Sequence, residues 1–144
     1  MAKTKYGHLV VSKMCEIPED EKKNVKSAPM LFATGEEKFR GSNFSIIVST
    51  ITEPAIMVSV GHAHDFDQYL CFVGTDPKTK NLGGVAEVYL GEEEEKYVIN
   101  TSTIIYIPKG LKHCPLIHKR IDIPYLFMDI YMAPSYERHK PNNS

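Results

Sequence analysis

The apolar residues of this chain come in short runs, and turn residues break every one of them. The runs are Ala28–Ala33, Phe44–Ile51, Ala55–Val60, Gln68–Val73, Val85–Leu90, Lys96–Ile99, Thr103–Ile107 and Tyr125–Met132. They are rich in Val, Ile, Tyr, Phe and Thr, which fit a pleated, half-buried surface. Between them stand Glu53-Pro54, Gly74-Thr75-Asp76-Pro77, Leu82-Gly83-Gly84, Gly91-Glu92 and Pro108-Lys109-Gly110. Glycine supplies positive φ and proline fixes φ, so each break predicts a change of direction. No long amphipathic helix is in sight. Short strands in this number predict an all-β sandwich or small barrel.

The remaining segments add little regular structure. Leu9-Val10-Val11 reads as a short strand, and the charged stretch Ile17 to Lys26, with Pro18, as a solvated loop or short surface helix. The expected layout is one domain: an N-terminal arm over 1–40 that packs on or pairs with the barrel, the barrel over 41–135, and a frayed tail over 136–144. A chain of 144 residues is long enough to bury a single core without disulfides. Phe44–Ile51 alternates only in part, so period alone does not assign its faces.

Charge narrows the partners. With a formal net charge of −1, the chain lacks the excess of Lys and Arg that neutralising phosphates requires. Nucleic acid and anionic membrane are therefore not expected partners. No apolar run approaches the ~20 residues that cross a bilayer. The apolar stretch near the N-terminus is too short for a signal-peptide core. Three cysteines, Cys15, Cys71 and Cys114, are too few and too odd for a disulfide scaffold, and the expectation is a reducing cytoplasm. The run Glu92-Glu93-Glu94-Glu95 reads as a solvated hairpin tip, because adjacent side chains in an extended chain point opposite ways and cannot converge on one ion.

Chemistry concentrates in the histidines. His62-Ala63-His64 follows Gly61 at the end of a candidate strand, and residues two apart in an extended chain share a face. Gln68 stands four residues after His64, and His113 follows the turn Pro108-Lys109-Gly110. A lone His-x-His is weak evidence and is often two surface histidines flanking a turn. Here a glycine precedes the pair, an amide follows it, a strand then ends in Gly74, and Pro-x-Gly-x-x-His comes later.

That combination resembles the cupin superfamily, over roughly Ile46 to Tyr131. The first cupin motif is matched by His62, His64, Gln68 and Gly74, and the second by Pro108, Gly110 and His113. The flanking Gly74-Thr75-Asp76-Pro77, Leu82-Gly83-Gly84 and His113-Cys114-Pro115 look like a subgroup of small metal-binding cupins with no assigned substrate. The resemblance implies a double-stranded β-helix, or cupin jelly roll, with an irregular N-terminal segment. It implies one divalent transition metal (Fe, Mn, Ni, Cu, Co or Zn) held by His62, His64 and His113, with Gln68 where the family usually has glutamate. Three imidazoles suit those metals. A neutral amide leaves the ion's full double charge in place, which favours an anionic small-molecule ligand. Asp67 compensates only if its segment is a turn, since in a strand it faces away from Gln68.

Other residues read as ordinary structure. Parity puts Cys71 opposite Gln68, as a buried inert thiol. Cys114 is expected to point away from His113, and His118, at odd spacing, to the opposite face. His8 and His139 read as solvated, and Lys119-Arg120 as a surface turn. Tyr106, Met57, Phe127 and Met128 read as core packing. Ser49, Thr50 and Ser59 face either the pocket or water. The expected function is a metal-dependent enzyme of oxygenase, isomerase or lyase type. A non-catalytic small-molecule-binding cupin and a structural metal in a partner-binding scaffold are the alternatives. The resemblance also implies a homodimer, because open sheet edges favour pairing.

Overall fold

A computed structural model of the chain describes residues 4–12 and 31–135. Nine strands carry the described fold: β1 (Leu31–Thr34), β2 (Ser45–Ile51), β3 (Ala55–Val58), β4 (Gln68–Val73), β5 (Asn81–Leu90), β6 (Glu95–Thr101), β7 (Thr103–Ile107), β8 (His113–Ile121) and β9 (Tyr125–Tyr131). They form two antiparallel sheets. One runs β1-β2-β9-β4-β7 and the other β3-β8-β5-β6. The all-β sandwich expected from the short runs is observed, and its architecture is the jelly roll that the resemblance implies. Among the described residues, no helix is long and apolar enough to cross a membrane.

The core lies between the sheets. Gln68, Leu70 and Phe72 of β4 are paired with Tyr131, Asp129 and Phe127 of β9, and directly paired residues point to the same side. Leu82, Ala86 and Val88 of β5, Ile99 of β6, Ile107 of β7 and Leu116 of β8 close the core from the other strands. On β2 it is Ser45, Ser49 and Ile51 that are buried. The apolar pattern there was ambiguous because the inward face carries two hydroxyls. Ser45 Oγ donates to the Ala133 carbonyl at 2.7 Å, so one of them costs no unpaired polar group.

Several expectations change. Leu9 lies in a single 3-10 turn, Gly7–Leu9, not in a strand. Leu82-Gly83-Gly84 is part of β5, not a turn. Gly83 takes φ +85°, and a Cβ on Gly84 would stand 2.2 Å from the Arg120 carbonyl oxygen. The glycines serve an irregular register and a close approach of β8 rather than a reversal. Lys119-Arg120 is no surface turn but part of β8, a strand absent from the sequence reading because Pro115 and the charged pair interrupt its apolar pattern. Lys119 reaches Glu87 at 3.9 Å, beside the closer ion pair of Glu87 with Lys96 at 2.8 Å.

The largest correction concerns parity along β8. His113 is opposite Leu90 and Leu116 is opposite Val88, so β8 holds one residue more than β5 over this interval. An extra residue in one strand reverses the alternation beyond it. His118 therefore returns to the inward face with His113, where both are about 1% exposed. Tyr106 also departs from expectation. It lies on the outside, half exposed, with its ring stacked on Tyr69 at 5.2 Å. Phe127 is in the core and Met57 packs against it. Met128 is half-buried, and Ser59 is exposed. The residues Glu92–Glu94 form an exposed hairpin turn, as the acidic run suggested. Cys15, His139, the stretch Ile17 to Lys26, Ala28–Met30 and the tail 136–144 lie outside the described residues.

Candidate metal centre

The two motif segments are laced together by backbone. His62 N–H donates to the His113 carbonyl at 3.0 Å, and His113 N–H donates back to the His62 carbonyl at 2.9 Å. Gly110 N–H donates to the His64 carbonyl at 2.9 Å. Gly110 has φ +85°, which suits glycine at this turn. Asp67 Oδ1 accepts from the Lys109 N–H at 2.9 Å. Asp67 thus fastens the turn.

This lacing gathers the three imidazoles. Ring centroids are 4.8 Å apart for His62–His64, 4.5 Å for His62–His113 and 5.2 Å for His64–His113. His62 Nδ1–H donates to the Val60 carbonyl at 3.1 Å, and His113 Nδ1–H to the Leu111 carbonyl at 3.0 Å. Both acceptors lie two residues upstream of their histidine. A ring whose Nδ1 carries the proton presents a bare Nε2 lone pair, the form that ligates a metal. His64 is 3% exposed, and its ring stacks on Phe66 at 4.7 Å. Phe66 in turn meets Tyr131 at 5.4 Å.

Gln68 is oriented by a residue that the sequence reading missed. Its Nε2 donates to Asp129 Oδ1 at 2.7 Å. Because a carboxylate only accepts, this bond fixes which end of the amide is nitrogen. Gln68 Oε1 is left buried without a hydrogen-bond partner among the described residues. A buried carbonyl oxygen in that state is costly unless a cation or donor meets it. Three imidazoles and such an oxygen are a donor set that suits a divalent transition metal. Asp129 gave no sequence signal, since its link to Gln68 spans 61 positions.

The cysteines divide. Cys71 is buried, and burial first, then the charge of Asp129, pushes its thiol up from the ordinary range. It stays protonated and inert, as expected. Cys114 does not point away. Its Sγ and one ring nitrogen each of His62 and His113 lie within 4.8 Å of one another.

His118 sits further along β8, ringed by Phe72, Phe127 and Tyr125 at 5.6–6.2 Å. Its Nδ1 is hydrogen-bonded to the Tyr125 hydroxyl. Burial pushes its pKa down to about 4, against ~6.5 for an unperturbed histidine. A histidine with a depressed pKa contributes stability that is complete above the unfolded value and is lost as pH falls toward the folded one. From pH 6.5 to about 4 this group should remove about 3 kcal/mol. Urea unfolding of wild type and His118→Gln at pH 7 and pH 5 checks this. The variant, neutral throughout, is expected to lose less stability between the two pH values.

Two surface depressions, of about 430 and 460 Å³, lie elsewhere. The first is lined in part by Thr75, Asn81, Asn100 and Arg120, the second by Glu36, Arg40, Ser42 and Pro134. Neither includes a histidine.

No family model matches the chain, and no curated protein matches it. Solved structures do. A variant of oxalate decarboxylase from Bacillus subtilis superposes with TM-score 0.51 at 16% identity, over 89% of this chain and 31% of that one. The same enzyme, in a study of its Mn(II) centres, gives TM-score 0.51 at 17% identity, over 94% and 32%. Its structure at pH 4.6 gives the same TM-score and identity. The chain thus spans about a third of the length of the proteins it superposes on. At this identity the likeness speaks for fold, and a fold hosts many chemistries. Two antiparallel sheets, facing motif segments and these neighbours together give the chain the double-stranded β-helix of the cupin jelly roll.

Proposed function

We propose that the chain is a metal-dependent cupin enzyme of lyase type acting on a small carboxylate. His62, His64 and His113 would hold the ion through imidazole nitrogen, and Gln68 through Oε1. The observation that carries this reading is the clustering of three imidazole rings, two with Nδ1 committed to backbone carbonyls, and Gln68, at the matching motif position, adds a buried amide oxygen that lacks a hydrogen-bond partner among the described residues. The lyase class is favoured over oxygenase and isomerase because the solved neighbours are decarboxylases.

A divalent ion bound there supplies Lewis acidity toward a carboxylate or enolate oxygen. The chain does the rest. Asp129 holds the Gln68 amide so that its oxygen faces inward. Phe66 covers one face of the His64 ring and is backed by Tyr131. Gln68 is neutral where the family usually has glutamate, so this ligand would bring no charge of its own to the ion.

The test is elemental analysis of tag-free protein purified without chelator, followed by a CO₂-release assay on small carboxylates, oxalate included. About one divalent ion per chain, lost in His62→Ala, with metal-dependent CO₂ release, is the expected result. Metal below about a tenth of an equivalent, with no uptake on addition, would overturn the reading.

Asp129 offers a finer check. Asp129→Ala removes the acceptor that orients the amide. Loss of such an outer partner costs about 10–100-fold in metal affinity. Competition with a chromophoric chelator should report a drop in that range with the fold intact by circular dichroism.

A further inference from the structure

Gln68 leaves the site one negative charge short of a cupin with glutamate, and the bulge in β8 brings a thiol to the same place. Over this interval β8 carries one residue more than β5. Cys114 takes φ +84°, an unusual value for a residue with a side chain. Such backbone is costly and persists where the surrounding structure fixes it. Here it directs Cys114 toward the histidines, with the residue 4% exposed. Its Sγ lies with ring nitrogens of His62 and His113 in a group no wider than 4.8 Å. Two ligand atoms at ~2.0–2.3 Å from one zinc ion stand at most about 4.6 Å apart. Around a tetrahedral ion the three would stand about 3.3–3.8 Å apart, so bringing them onto one ion closes the group by about 1 Å at its widest.

We propose that Cys114 is a ligand of the metal, sharing it with His62 and His113, and that its thiolate supplies the negative charge that Gln68 withholds. This rests on the metal-centre reading above and changes its chemistry. A thiolate is soft and selects zinc, cobalt or copper(I), whereas an all-nitrogen and oxygen set accepts manganese more readily. The ion in this chain is accordingly a thiophilic one, unlike the Mn(II) of the solved neighbours. Cys71, on the opposite face of β4, takes no part.

Cobalt(II) titration of metal-free protein under anaerobic conditions tests this. Histidine-bound cobalt(II) absorbs in the visible. A thiolate ligand adds a charge-transfer band in the near ultraviolet. Wild type should show both, and Cys71→Ser should keep both. Cys114→Ser should lose the ultraviolet band and keep the visible ones. Cys114→Gly should do the same, and because glycine accepts the positive φ, it separates loss of the thiol from loss of fold. The preference for zinc over manganese should fall at least about tenfold in both Cys114 variants. Visible bands without the ultraviolet band in wild type, or an ultraviolet band that survives in Cys114→Ser, would overturn the thiolate ligand and leave the histidine site standing. No cobalt absorption in wild type would overturn both.

Discussion

His113→Ala is expected to weaken metal binding by well over the ~100-fold that attends loss of an outer partner, leaving less than about a tenth of an equivalent after gel filtration. Two of the features that build the centre meet at this residue. Its ring completes the imidazole cluster, at 4.5 and 5.2 Å from the other two. Its backbone exchanges two hydrogen bonds with His62. Alanine keeps the backbone pair and removes only the ring, so the effect reads the ligand and not the lacing. Elemental analysis gives the occupancy, and thermal unfolding of the metal-free proteins gives the packing cost of the lost side chain. An occupancy unchanged from wild type would remove His113 from the ligand set.

Phe72→Ala carries the largest expected loss of stability. The side chain is 0% exposed and packs between Phe127, at 5.1 Å, and His118, at 6.2 Å. Truncating a buried phenylalanine costs about 3–5 kcal/mol, through lost transfer free energy and the cavity left behind. For a domain of this size that is a fall in Tm of about 10–15 °C. Gln68 begins β4 and Phe72 stands near its end, so the cavity opens beside His118 and away from Gln68. Metal stoichiometry at low temperature should therefore stay at the wild-type value. Denaturant unfolding and elemental analysis on the same sample separate the two effects.

Most strands could be read in the sequence because their apolar runs are short and cleanly punctuated. β4 and β9 are the clearest cases. The imidazole cluster was legible for a related reason: His62 and His64 stand at the spacing that shares a face, and Pro108, Gly110 and His113 mark the facing turn. β8 was not legible. Its proline and its Lys119-Arg120 pair break the pattern, and the break is where the bulge lies. Everything that depends on alternation across the bulge then came out reversed. Cys114 was expected away from the histidines and is among them, and His118 was expected outside and is in the core. Asp129 left no local trace, because register between β4 and β9 brings it to Gln68. The acceptors that fix the His62 and His113 rings are backbone carbonyls of Val60 and Leu111, for which no residue type is diagnostic.

The lacing of the two motif segments bears on how binding and folding are linked. His62, His64 and Asp67 are tied to His113, Gly110 and Lys109 by bonds that involve only the chain itself. Those bonds need no ion, so little ordering entropy should be spent on occupancy. A zinc finger behaves oppositely, since its ligands are dispersed until the ion arrives. Here chelation should leave a single cooperative transition. The midpoint should climb with free ion by mass action alone, by about 2.7 kcal/mol of added stability at a hundredfold excess over Kd. The barrel would act as a rigid chelator, whose ligand side chains are held in place by its backbone.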